Sequence, residues 1–165
     1  MKVEEIIALL KLHPLIGEGG LYAETYRSTG QIPAGALPAP RSYSTAIYYL
    51  LTAEADSFSA LHRLSGDEIY HFYLGDPVEM LLLYPDRTAQ AVVLGQDLLA
   101  GQQVQWVVPA GVWQGSRLAS GGAYALLGTT MSPGFDLADF EPGERSALCA
   151  AYPNETEKIT RLTRT

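Results

Sequence analysis

His62, Glu68 and Tyr70 lie within nine residues of one another in the stretch "HRLSGDEIYHFYLGD", His62 to Asp76. An imidazole exchanges protons near neutral pH. A carboxylate set among aromatic residues is costly to ionise unless something pairs with it. Side chains alternate faces in an extended strand, so Glu68, Tyr70, Phe72 and Leu74 are expected on one face, with Ile69, His71 and Tyr73 on the other. His62 precedes a Ser-Gly-Asp turn and is expected to return across a hairpin to meet Glu68. The pair would then act as a general acid and base, or as two metal ligands. A well-packed strand that happens to carry polar groups is the third reading. His71 would need a bulge to join the others, and packing or a subunit contact is the role expected for it.

Other residues can complete such a pocket. Gln114 follows a Pro-Ala-Gly turn and is expected to point inward, where an amide both donates and accepts, while Trp113 turns the other way. Tyr22, Glu24 and Tyr26 alternate along an early extended segment and are expected to line the same cavity from its far side, with Phe72 beside them. Arg27 or Arg117, if inward, would hold a carboxylate or phosphate bidentately. Asp136 and Asp139, in "PGFDLADFE", are the candidates to orient His62.

The frame for these residues is mainly β. Val3, Ile6, Ile7 and Leu10 fall at helical spacing, and Pro14 with Gly17 stops that helix. After it come short runs rich in β-branched and aromatic residues, such as "STAIYYLLT", "VEMLLLYP" and "QQVQWVVP", punctuated by Gly, Pro and Asp. That pattern implies a sandwich or barrel. The expected division is a helix over 1–16, a barrel over 17–150 and a polar tail over 151–165 whose last residues fray. Residues 28–44 read as a mobile surface loop and a candidate lid.

Composition narrows the partners. A chain of 165 residues that is 47% apolar and 18% charged forms one ordinary domain. Its net charge of −7, without a basic run, opposes binding to a phosphate backbone or an anionic membrane. The single cysteine, Cys149, excludes an internal disulfide and a multi-thiolate metal site. Two early glutamates stand where a secretion signal would be basic, and no apolar run reaches the roughly 20 residues of a membrane span, so a cytoplasmic protein is expected.

The motifs resemble those of cupins. His62, Glu68 and Gly75 keep part of a first cupin motif of the form G-x5-H-x-H-x3,4-E-x6-G, with Asp56 for its leading glycine and Leu64 for its second histidine. "PAGVWQGSRL" echoes the second motif through Pro109 and Gly111, with Gln114 for its histidine and Leu118 for its asparagine. The blocks "EGGLYAETYRS", "STAIYYLL", "FSALHRLSGDEIYHFYLGDPVE" and "MSPGFDLADFE" resemble, more specifically, the cupin-5 (DUF985) family, which has no settled reaction. The resemblance implies an all-β jelly-roll barrel, commonly a homodimer, with a pocket at its mouth for a small-molecule ligand. It extends to the RmlC-type sugar-nucleotide epimerases, which use a histidine helped by an aspartate, and a tyrosine, without a metal.

The expected function is therefore binding of a polar metabolite or sugar nucleotide, with an isomerase or epimerase type of proton transfer from His62, Glu68 and Tyr70. A non-catalytic ligand sensor and a weakly metal-binding enzyme are the alternatives. A full metal centre ranks last, since Leu64 and Gln114 replace two nitrogen donors; no cofactor is expected beyond a weak divalent site at His62, Glu68 and Gln114.

Overall fold

A computed structural model describes residues 2–33, 40–54 and 56–164. The chain opens with helix α1 (Val3–Leu10), which Lys11 ends in a left-handed conformation. Eleven strands follow: β1 (His13–Pro14), β2 (Leu21–Arg27), β3 (Thr45–Thr52), β4 (Phe58–Arg63), β5 (Glu68–Gly75), β6 (Val78–Leu83), β7 (Ala89–Leu94), β8 (Gln105–Val108), β9 (Trp113–Leu118), β10 (Tyr124–Met131) and β11 (Glu141–Pro142). Helices α2 (Arg145–Ala151) and α3 (Thr156–Arg161) close the chain. No helix among the described residues is long and apolar enough to cross a membrane.

The strands form two facing sheets, ordered β1-β2-β3-β10-β5-β8 and β11-β4-β9-β6-β7, with every strand pair antiparallel. This is the jelly-roll arrangement that the resemblance implies, within the sandwich-or-barrel class of the alternating runs. Inward side chains such as Tyr49, Leu51, Tyr70, Phe72, Leu82 and Leu127 fill one end of the space between the sheets. Each is worth about 1.5–3 kcal/mol when fully buried. The other end is polar: Ser59, His62, Glu68 and Thr129 are all buried there, and it holds the site.

Two apolar layers cover the outside. Helix α1 lays Ile6 on Leu50 and Leu126 of the six-stranded sheet. The run "MLLL" of β6 is buried on both faces, because α2 and α3 cap the outer side of Leu81 and Leu83 with Leu148, Ile159 and Leu162. The C-terminus therefore departs from the polar, fraying tail expected over 151–165. Thr156, Lys158 and Thr160 mark only the solvent side of α3, whose Ile159 is 0% exposed. The amide of Leu61 donates to the carbonyl of Leu162 at 2.7 Å, so this segment also braces β4.

His62 and Glu68 do not face one another across a hairpin, as expected. The Ser-Gly-Asp turn carries the chain from one sheet to the other: β4 pairs with β9 and β11, and β5 pairs with β10 and β8. The two residues meet across the gap of the sandwich. Within the loop of residues 28–44, Gln31 bridges to Ser42, whereas 34–39, the centre of the candidate lid, lie outside the described residues.

Candidate functional site

A cavity of about 220 Å³ opens between the sheets at their polar end, lined by Glu18, Tyr22, Glu24, Arg27, Thr45, His62, Leu64, Glu68, Thr129 and Phe135 among others. It is smaller than the roughly 300–1,000 Å³ of sites for drug-sized ligands, which suits a small metabolite. Three β-bulges decide which side chains reach it. Bulges are frequent beside active sites, because one extra residue re-aims everything beyond it.

On β4 the bulge lies between Ser59, paired with Ser116, and His62, paired with Gln114. Strict alternation would put Ser59 and His62 on opposite faces. The extra residue turns both inward, where each is 1% exposed. It also aims the Ala60 carbonyl at the His62 ring, 2.8 Å from Nδ1. A carbonyl only accepts, so Nδ1 carries a proton and the neutral ring keeps its lone pair on Nε2. Phe140 stacks on the ring with 5.1 Å between centroids.

The group near Nε2 is Glu18, whose Oε2 lies 3.9 Å away. Glu18 was absent from the expected site. It sits in "GEGG", a turn in which Gly17, Gly19 and Gly20 all have positive φ. At Gly20 a side chain would also press on the Tyr49 ring. Such a turn suits glycine and delivers a carboxylate to the cavity without a strand to carry it. A charged residue framed by glycines was the available signal. The hydroxyl of Ser59 donates to Glu18 Oε1 at 2.7 Å.

The candidates for orienting His62 do something else. Asp139 accepts from Arg41 at 2.9 Å and from Ser65 at 2.6 Å, and Asp136 caps the short turn that follows it. The acid beside the imidazole is thus a glutamate from the other sheet's first turn.

Glu68 faces the same cavity from β5. Burial pushes its carboxyl above the usual glutamate value and the charge of Glu18 adds to this, against opposing pulls from His62, Thr129 and Gln114. Gln114 Nε2 donates to Glu68 Oε2 at 2.7 Å. Gln114 is inward, as expected, but stands behind Glu68 and not on the cavity wall. Its effect is positional, since it pins one carboxyl oxygen as an acceptor and leaves any proton on the other.

Several expectations need correction. Tyr70 and Phe72 share the inward face but belong to the packed end, away from the cavity wall. Burial and the neighbouring Glu68 carboxyl push the Tyr70 hydroxyl well above the usual tyrosine value. In β2 the register slips at Thr25, so Tyr22 and Glu24 line the cavity as expected while Tyr26 turns out, 55% exposed, and Arg27 takes the inward place. A third bulge, at Tyr73, sends Leu74 to the outer face beneath α1. Arg117 also points outward, to a groove beside α3. His71 lies on the outer face against Thr130 and Gln105, the position that alternation gives it.

Leu64, on the cavity wall, has no donor atom, Gln114 does not line the cavity, and among the described residues no three His, Cys, Asp or Glu side chains are grouped to hold an ion.

Glu68 titration gives a direct test of this geometry. An acid whose folded pKa is raised binds more protons folded than unfolded, so its contribution is fully present below the unfolded value near 4.5 and is lost as pH rises through the folded one. Glu68→Gln keeps the shape and the acceptor for Gln114 but cannot ionise. Its stability relative to wild type is expected to grow between pH 5 and pH 8, by about 1.4 kcal/mol per unit of separation between folded and unfolded pKa. Equal differences at both pH values in denaturant titrations would mean that the carboxyl is not perturbed.

Comparison with known proteins follows the same outline. Residues 4–142 match the family model described as Cupin superfamily (DUF985). An uncharacterized protein of Saccharomyces cerevisiae is 31% identical over 159 residues, covering 88% of this chain and 78% of that one. The solved structure of a hypothetical protein from Leishmania major superposes with a TM-score of 0.90 at 30% identity over 100% of both chains. A Shewanella oneidensis protein gives 0.87 at 32% identity over 99% of this chain and 98% of its own.

Proposed function

For this chain, which belongs to the DUF985 family of the cupin superfamily, we propose that the cavity binds a small polar metabolite and moves a proton on it, in an isomerase or epimerase type of reaction. The observation that carries this reading is the pairing of opposites across one cavity. His62 offers a basic Nε2, and Glu68 offers a carboxyl biased by burial toward its protonated form. Separated acid and base groups with divergent environments are the usual sign of assigned roles in proton transfer.

In the mechanism, the substrate lies between β4 and β5. His62 Nε2 removes a proton from carbon adjacent to a carbonyl, and the Nδ1–H···O=C bond to Ala60 keeps the ring oriented while it does so. Glu18, 3.9 Å from Nε2, stabilises the imidazolium that forms. Glu68 donates to the carbonyl oxygen as it gains charge. For a substrate whose reacting carbon bears a hydroxyl, Glu68 then takes the proton of that hydroxyl while the imidazolium gives its proton to the former carbonyl carbon, so that product and substrate are isomers and no co-reactant is consumed. Tyr70, the acid expected from the sequence, is replaced in this scheme by Glu68, which reaches the cavity.

The test is incubation of the protein in D₂O with a fractionated extract of small metabolites. The expected result is a mass gain of one deuterium in a specific compound at its acidic C–H position. Saturable binding of a compound without exchange would instead support the ligand-sensor reading.

A further inference from the structure

The charge and hydrogen-bonding state of the cavity wall identify a class of ligand, on the premise that the cavity is the binding site proposed above. Arg27 is its one cationic guanidinium, and that group is already engaged. Nε and Nη2 donate to the two oxygens of Glu24 at 2.9 and 2.7 Å, and Nη1 donates to the Phe135 carbonyl at 3.1 Å and to Ser42 Oγ at 3.4 Å. Four of its five N–H groups are therefore taken. It cannot offer a fork to a carboxylate or phosphate without giving up Glu24.

The acceptors are in the opposite condition. Glu18 Oε2 receives no hydrogen bond among the described residues and lies 3.9 Å from His62 Nε2. Nε2 itself is unpartnered, on a residue that is 1% exposed and lines the cavity. Two acceptors thus face the same enclosed space with nothing donating to either. Both atoms are reached from the cavity, so a bound donor can replace the water that would otherwise solvate them. Arg164, the other nearby cation, donates to the backbone carbonyls of Glu18, Asp56 and Phe58 and does not line the cavity.

We infer that the ligand presents a cationic amine to the cavity, seated against Glu18 Oε2, and that carboxylate and phosphate ligands are disfavoured. An ammonium supplies three donors and one positive charge, which matches the free oxygen and the charge of the Glu18 carboxylate. Tyr22 and Phe135 provide an aromatic wall that also tolerates a cation. The chain's net charge of −7 favours arrival of a cation in the same direction. The substrate class is then an amino-bearing carbonyl or sugar compound, in which the amine anchors at Glu18, the reacting carbon faces His62 Nε2 and the carbonyl oxygen faces Glu68. This departs from the sugar-nucleotide expectation, whose phosphates would meet an occupied arginine and a glutamate.

Isothermal titration at pH 7 with D-glucosamine, D-glucose and D-glucuronate tests this with one ring bearing an ammonium, a hydroxyl or a carboxylate. Glucosamine is expected to bind about tenfold more tightly than glucose, and glucuronate least. In Glu18→Gln, which preserves the Ser59 acceptor, glucosamine is expected to fall to the affinity of glucose. Equal affinities, a preference for glucuronate, absence of glucosamine binding, or a preference for glucosamine that survives Glu18→Gln would each overturn the assignment. Binding of glucose or glucuronate that is lost in His62→Gln would retain the pocket while removing the amine. Silence of all three probes, together with no exchange in the metabolite extract, would remove both.

Discussion

His62→Gln is expected to slow solvent-deuterium exchange into the cavity's substrate by about 10²–10⁴-fold, equivalent to about 2.7–5.4 kcal/mol of barrier. Glutamine keeps a donor near the Ala60 carbonyl and approximates the length of imidazole, so β4 and its bulge are retained. It has no basic nitrogen. The loss should fall on the rate of exchange more than on the substrate concentration at half saturation, since Glu18 and Glu68 still line the cavity. Side-by-side thermal unfolding separates a chemical effect from a folding defect. Exchange within about threefold of wild type would take His62 out of the mechanism and leave the cavity as a binding site. Glu68→Gln in the same assay distinguishes the acid from the base, as its amide cannot return a proton to a carbonyl oxygen.

Ile159→Ala should destabilise the fold by about 2–5 kcal/mol, the range for removing a fully buried aliphatic side chain from a packed layer. For a chain of this size that corresponds to a fall of about 4–20 °C in Tm. Ile159 is 0% exposed between α3 and the outer face of the five-stranded sheet, in contact with the layer that contains Leu61, Leu81, Leu83 and Leu162. Leu162 holds the amide of Leu61, one residue before His62, so loosening of α3 should also be felt in the cavity. A shift in denaturant midpoint equivalent to less than about 0.5 kcal/mol, typical of exposed positions, would show instead that the C-terminal segment does not pack.

Much of the site could be read from residue types. His62, Glu68, Tyr22 and Glu24 all reach one cavity, and Gln114 reaches Glu68. Alternation over a single strand is local, and it carried Glu68, Tyr22, Glu24 and Gln114, whereas His62 turns inward through a bulge. It failed at Tyr26 and Leu74 for one reason: each lies just past a residue that opposes no partner in the neighbouring strand. Nothing in "AETYR" or "HFYLG" marks Thr25 or Tyr73 as the extra residue, because the bulge belongs to a pair of strands. Glu18 was missed for a related reason, since a turn has no period from which a direction can be inferred.

The chain by itself determined a mainly β sandwich or barrel with an N-terminal helix and a net acidic composition, which follow from short-range periodicity and composition, while the spacing of His62 and Glu68 stood out through its resemblance to a cupin motif. Only the tertiary structure decided that His62 and Glu68 meet across two sheets, that Glu18 stands beside the imidazole, that Tyr70 lies in the core, and that Arg27 is consumed by Glu24. Those facts depend on which strands pair and where their registers slip. Pairing energy is set by partners tens of residues distant, and no local pattern encodes it.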